Sequence, residues 1–323
     1  MPKMKFLLYS VFLMIVLTGC VTNDESPNEH EKMNEETGEN TTDTTYNYDG
    51  DGGFLWKIDH EETTAYIHGS IHLGHVDYYP LSNEIEEAYA SSDIILPEIN
   101  MFEVDITEEE LNEMAIFDDG KTLDEVLSED VYNHLSDIFK KNGVELESLN
   151  KYEPWYIETL LSGFVQEESD LSAEYGVDLY FLQLAIEDNK EIIELETVES
   201  QYDMLTGFSL DTQTDRLETF IETYEEQAEG LNNLGYHWIN SNTEEGKEGV
   251  KESLSTGFES SDDEFQQEMN DNRNIDMANK IDDLLQSNSG QTYFAIIGAA
   301  HTVIEPSVPS ILKEKGYDIE RIY

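Results

Sequence analysis

A chain of 323 residues carrying 72 acidic and 17 basic side chains, a formal net charge of −55, is repelled by nucleic acid and by anionic membrane surfaces, so neither is an expected partner. Cys20 is the only cysteine, which excludes an intrachain disulfide and leaves any metal in the mature domain to nitrogen and oxygen ligands. The carboxylates are spread along the whole chain, as on a halophilic acidic surface bathed in salt that shortens the screening length; an alkaline habitat is the second explanation.

Residues 1–19 read as a lipoprotein signal peptide: Lys3 and Lys5, an apolar run from Phe6 to Leu17, then Thr18 and Gly19 before Cys20. The run is shorter than the roughly twenty residues that span a bilayer, and small residues mark a processing site. Cys20 would carry the lipid and hold the protein at the cell membrane, on the extracytoplasmic face, with the lipid anchor as its only membrane contact. A short uncleaved anchor is the alternative, with the same sidedness. Residues 20–53 are polar, acidic and poor in aliphatic side chains, a composition that cannot bury enough surface to order itself, and are expected to form a disordered tether.

Residues 54–323 suffice for one large domain. Strands are expected at Leu55 to Ile58, Thr64 to His68, Asp93 to Leu96, Glu191 to Leu195, Tyr293 to Ile297 and Ile319 to Tyr323, all short runs rich in aromatic and β-branched residues. Between them the spacing is mostly helical. Leu123, Val126, Leu127, Val131, Leu135, Ile138 and Phe139 recur at helical intervals and stop at Asn142-Gly143; Pro154 suits a helix start, and Leu179 to Ile186 a further helix. The expected class is α/β (α+β): one central mixed sheet built from both ends of the chain, with a large helical middle flanking its open edge.

Two of those strands end in the same four-residue pattern, Gly69-Ser70-Ile71-His72 and Gly298-Ala299-Ala300-His301. A glycine lets the chain turn sharply at a strand end. If the strands share one sheet and one polarity, both turns open at the edge where α/β folds bind ligands, and the imidazoles converge. Converging imidazoles suggest a metal. Other histidines read differently: His75 as a loop residue facing solvent, His68 as pointing away from the site, His134 and His237 as packing or surface residues. The chain has no His-Glu-x-x-His, Gly-x-Ser-x-Gly, phosphate-binding glycine loop or dinucleotide fingerprint.

The order of these segments, with Asp93-Ile94-Ile95-Leu96-Pro97-Glu98, Tyr175-Gly176-Val177-Asp178, Glu194-Leu195-Glu196-Thr197 and Arg273-Asn274, resembles the TraB/GumN family, which includes the Tiki proteins. The resemblance covers about residues 54–323. It implies a fold like the erythromycin-esterase and ChaN-like group, and a manganese- or cobalt-assisted peptidase; zinc also suits imidazole and carboxylate ligands. A catalytic divalent site needs about three protein ligands and an open position, which His72, Glu98 and His301 would supply. By the same resemblance Glu196 is a candidate proton acceptor, the alternative being a salt bridge to Arg273. Arg273 and Asn274 are candidates for supporting or substrate-binding roles, and Tyr175 and Asp178 for lining the pocket, with capping by Asp178 and packing by Tyr175 as alternatives. The expected function is a lipid-anchored, metal-dependent hydrolase of peptide or protein substrates; the rival is a lipoprotein that binds or sequesters a peptide without cutting it.

Overall fold

A computed structural model describes residues 46–104, 106–259 and 263–323. The signal peptide, Cys20 and most of the expected tether lie outside the described residues. Six strands form one mixed sheet: β1 (Phe54–His60), β2 (Thr63–Ser70), β3 (Ile94–Pro97), β4 (Glu191–Ile192), β5 (Thr292–Gly298) and β6 (Ile319–Arg321), in the order β4-β3-β5-β2-β1-β6. β1 and β2 make an antiparallel hairpin, and β6 adds antiparallel to β1; β2, β5, β3 and β4 are mutually parallel. β5 lies between two parallel neighbours and is buried from Tyr293 to Gly298, which is why its sequence is an unbroken apolar run rather than an alternation.

The expected strand at Glu191 to Leu195 is regular only over two residues, but the pairing goes on: Ile193, Leu195 and Glu196 donate their amides to the carbonyls of Ile95, Pro97 and Glu98. Pro97 has no amide to give and is tolerated because β3 ends there.

Helices α1 (Asn83–Ser91), α2 (Glu108–Met114), α3 (Leu123–Val126), α4 (Glu129–Lys141), α5 (Pro154–Glu168), α6 (Val177–Glu187), α7 (Val198–Gly207), α8 (Leu210–Glu222), α9 (Tyr224–Ile239) and α10 (Glu244–Glu259) make up the helical middle. After the short α11 (Asp263–Gln266) and a π-helical turn come α12 (Arg273–Gln286), α13 (Ala299–Val303) and α14 (Val308–Glu314). Pro154 occupies the first turn of α5, Asn142 caps α4, and Gly143 takes φ +76° after it. None of the described helices is long and apolar enough to cross a membrane.

The packed chain begins earlier than composition implied. Tyr46 donates its hydroxyl to Asn233 on α9 at 3.0 Å, Tyr48 is buried, and Gly53 N–H reaches the Ser241 hydroxyl at 2.8 Å. A side chain at Gly52 would collide with the α9 backbone, so residues 46–53, read as tether, belong to the domain.

Candidate functional site

The parallel register sets Gly298 beside Ser70, so the ends of β2 and β5 open together, and β3 brings Glu98 to the same edge. Past β2, Ile71 and Gly74 are held by the segment that leads into α6: Val177 N–H donates to the Ile71 carbonyl at 2.9 Å, and Gly74 pairs with Ser172. A Cβ at Gly176 would sit 2.3 Å from the His72 carbonyl oxygen, so only glycine lets the start of α6 approach closely enough to bring in Asp178. Asp178 then accepts from Ser70 Oγ at 2.6 Å and from His72 Nδ1 at 2.9 Å. Burial opposes charge on His72, but Asp178 outweighs it and holds the imidazole pKa up at about 9; burial likewise opposes the Asp178 carboxylate, and His72 lowers its pKa nonetheless.

His301 stands at the opposite electrostatic extreme. Gly298 caps the short α13, and His301 in its first turn is 1% exposed. Asn274 on α12 donates its amide to Asn270 Oδ1 at 3.0 Å and to the Pro306 carbonyl at 2.8 Å, so its own Oδ1 faces His301 Nδ1 at 2.6 Å. That network assigns the proton to Nδ1 and leaves Nε2 a bare lone pair. Nε2 is buried with no hydrogen-bond partner. Burial first, then the nearby charge of Arg273, push the His301 pKa down to about 3.

Glu98 lies between them, 5% exposed. Its Oε1 accepts from Gly298 N–H at 2.6 Å and its Oε2 from Arg273 Nη2 at 2.8 Å. Arg273 also grips Glu196 through Nε at 2.7 Å and Nη2 at 2.6 Å, while Gln201 donates to Glu196 Oε2 at 2.8 Å. With both oxygens engaged and a pKa lowered because Arg273 outweighs burial, Glu196 is a poor proton acceptor. The salt bridge to Arg273 is thus the arrangement observed, and Arg273 serves to position Glu98.

A Cβ built on Gly298 would lie 3.4 Å from Glu98 Oε1, 3.6 Å from His72 Nε2 and 3.7 Å from His301 Cδ2. The missing side chain is the cradle on which the three residues converge. His301 Nε2 and Glu98 Oε1 are 3.8 Å apart, close to the roughly 3.4 Å that separates two tetrahedral ligands about 2.1 Å from a metal. Among the described residues, however, no group of three His, Cys, Asp or Glu side chains is already drawn together as a metal shell. A bare buried lone pair, a carboxylate oxygen and the space beside Gly298 fit a divalent ion, with His72 able to join once its proton leaves.

Two cavities meet at His72. One is walled by Leu73, Ile99, Met101, Ala173 and Leu179 and touches Glu98 and Asp178; the other is walled by Leu234, Trp238, Leu254, Ala299 and Ala300 and touches Gly298 and His301. Tyr175 lines neither; its backbone carbonyl accepts the Tyr79 hydroxyl at 2.7 Å. Gly69 is confined by Thr302 and Phe54. His75 caps its turn by accepting from Asp77 N–H at 3.2 Å. His68 is fully buried and donates from Nδ1 to the Phe54 carbonyl at 2.9 Å, and burial lowers its pKa to about 4. His134 is exposed, and the His237 ring packs over Gly249.

The model of the TraB/PrgY/gumN family matches residues 54–321, from β1 through β6 and including every residue of this constellation. The chain belongs to that family. Similar curated proteins include two uncharacterized proteins YbaP, from Shigella flexneri (26% identical, 55% of this chain and 64% of the relative) and Escherichia coli K12 (27%, 54% and 63%), and the metalloprotease TIKI2 of Danio rerio (22%, 83% and 60%). The chain thus spans somewhat under two thirds of each of these relatives. No solved structure matches it.

Proposed function

We propose that this family member is a divalent-metal-dependent hydrolase that cuts peptide bonds, held to the extracytoplasmic face of the cell membrane by a lipid on Cys20. The observation that carries the reading is the buried, unpartnered Nε2 of His301 beside Glu98 and the Gly298 cradle. His72, Glu98 and His301 would hold the ion, manganese or cobalt by the family resemblance and zinc by the same donor set; one relative is named a metalloprotease. When bound, the ion supplies Lewis-acid polarisation of a carbonyl and acidification of a water.

The chain's own residues do the rest. Asp178 and Asn274 each take a histidine Nδ1–H and so aim Nε2, the outer partners that metal-binding imidazoles commonly need. Arg273, braced by Glu196, fixes the free rotation of Glu98. Glu98 and Asp178 are the carboxylates that line the larger cavity, Glu98 as a ligand to the ion and Asp178 as the partner that orients His72. We extend the reading to a fold of the erythromycin-esterase and ChaN-like group and to an acidic surface adapted to salt.

The test is elemental mass spectrometry on protein purified in high salt, beside His72→Ala and His301→Ala. Near one tightly held transition metal in the parent, lost in both folded variants, is the expected result. A parent that stays empty after reconstitution with manganese, cobalt and zinc overturns it. The second reading, peptide capture without cleavage, draws on the apolar cavities that meet at His72; peptide recovered intact after long incubation with reconstituted protein would select it.

A further inference from the structure

We propose that the two cavities meeting at His72 are subsites for the side chains flanking the reacting carbonyl, so that the substrate is a peptide with a mid-sized aliphatic residue on one side of that carbonyl and a small uncharged residue on the other. The inference rests on the peptide reading of the same site. Its first support is position. Each cavity touches a different half of the constellation, one Glu98 and Asp178, the other Gly298 and His301, with His72 as the shared wall. A carbonyl carbon placed over the Gly298 cradle would therefore direct its two substituents into opposite chambers.

Chemistry of the walls is the second support. The chain has 72 acidic residues, yet apart from the constellation itself and the Ser70 hydroxyl both chambers are lined by Leu, Ile, Met, Pro, Ala and Trp. An acidic side chain there would lose its hydration beside carboxylates, and a basic one would find Glu98 and Asp178 already engaged by Arg273, Gly298, Ser70 and His72, whereas an aliphatic one gains by leaving water. Size separates the two. The chamber beside Met101 and Leu179 has a volume of about 40 Å³ and the one beside Trp238 about 20 Å³, where a single water needs roughly 10–15 Å³. The first suits a Val- or Leu-sized group and the second a methyl or hydroxymethyl.

Exposed apolar residues follow the site in sequence. Val76 and Phe102, 52% and 44% exposed, are two of the four large apolar side chains standing out among the described residues. They lie on the segments that follow His72 and Glu98, and Phe102 adjoins Met101 of the larger chamber.

A panel of quenched-fluorescent peptides varied at the two flanking positions, assayed with the purified metal-reconstituted protein, tests the proposal. Leu or Val at one position and Ala or Ser at the other should exceed Asp, Glu, Lys or Arg in kcat/KM by at least about tenfold, the scale on which hydrophobic pockets discriminate. Leu179→Phe should shift the first preference from Leu toward Ala, read as the ratio of kcat/KM for the two peptides within the variant; Leu254→Phe should narrow the second. Titration of the same unlabelled peptides into metal-free protein, followed by calorimetry, separates this proposal from the peptidase reading. Apolar-selective binding without cleavage upholds the subsites and sinks the peptidase. Cleavage that ignores the flanking residues, or prefers charged ones, overturns the subsites and leaves the peptidase standing. Neither binding nor cleavage overturns both.

Discussion

The imidazoles of His72 and His301 are oriented alike, each giving Nδ1 to an oxygen on a neighbouring helix and turning its other edge toward Gly298, yet one partner is a carboxylate and the other an amide. That difference, with Arg273 weighing more heavily on His301, sets their proton affinities far apart. Asp178 keeps His72 protonated up to about pH 9, whereas burial and Arg273 strip His301 down to about 3. One half of the site therefore stores a proton and the other presents a bare lone pair. An ion arriving from solution would meet a ready ligand at His301 and would have to displace a proton from His72.

Arg273 supports both halves, so removing it breaks the comparison most completely. Arg273→Met leaves Glu98 and Glu196 buried at 5% and 9% exposure without their cation, and stripping one member of a buried ion-pair network costs about 3–5 kcal/mol. Chemical denaturation should show a loss of that order, together with loss of bound metal. A change under about 1 kcal/mol would mean that water reaches these carboxylates and that Glu98 is not fixed.

Asp178→Asn gives His72 the kind of partner His301 has. The His72 titration, read by NMR, should fall from about 9 to below the ordinary 6.5, since burial, helped by Arg273, is then opposed only by Glu98. Stability follows. Below pH 6.5 the imidazole is protonated in both folded and unfolded chains and its contribution is complete; above it the unfolded chain releases the proton while the folded one keeps it until about 9. Metal-free protein should therefore lose up to about 3 kcal/mol between those pH values, and Asp178→Asn should be less stable at pH 6 and lose that alkaline slope. An unchanged slope would assign it elsewhere.

Metal binding reads the same asymmetry with a smaller signal. With His301 already neutral, His72 should be the residue that gives up a proton, so apparent affinity should rise about tenfold per pH unit up to about 9. A slope near two would show that His301 is protonated too.

How much of this could be seen in the sequence follows from where each residue sits. His72, Glu98 and His301 terminate or follow apolar strand-like runs, and a strand end fixes a side chain's place at the sheet edge without knowledge of the helices. Their supporting partners come from elements that only packing brings near: Asp178 lies 106 residues from His72, and Arg273 lies 175 from Glu98. The Tyr175-Gly176-Val177-Asp178 pattern was legible but its meaning was not, because the demand at Gly176 is set by the His72 carbonyl and cannot be inferred from a glycine alone. Glu196 looked available for proton transfer until the Arg273 contact occupied it. Residues 46–53 escaped for the opposite reason. Their composition is that of a solvated linker, and it is two tyrosines and close glycine contacts with α9, rather than aliphatic burial, that hold them.

Gly298→Ala is the gentlest way to sharpen the comparison. The residue sits at φ −54° and ψ 142°, a conformation open to any amino acid, and its new Cβ would meet Glu98, His72 and His301 at 3.4–3.7 Å, ordinary van der Waals separations. Stability should change by no more than about 0.5 kcal/mol, and the His72 and His301 titrations should stay apart, because neither Asp178 nor Asn274 is touched. Only the space between the imidazoles is filled. If that space is where the ion sits, calorimetric metal affinity should drop at least about tenfold in a protein that unfolds like the parent. Metal affinity that survives the added methyl would place the ion outside the cradle, on the Asp178 side of His72, and would make the bare Nε2 of His301 a structural vacancy rather than a ligand.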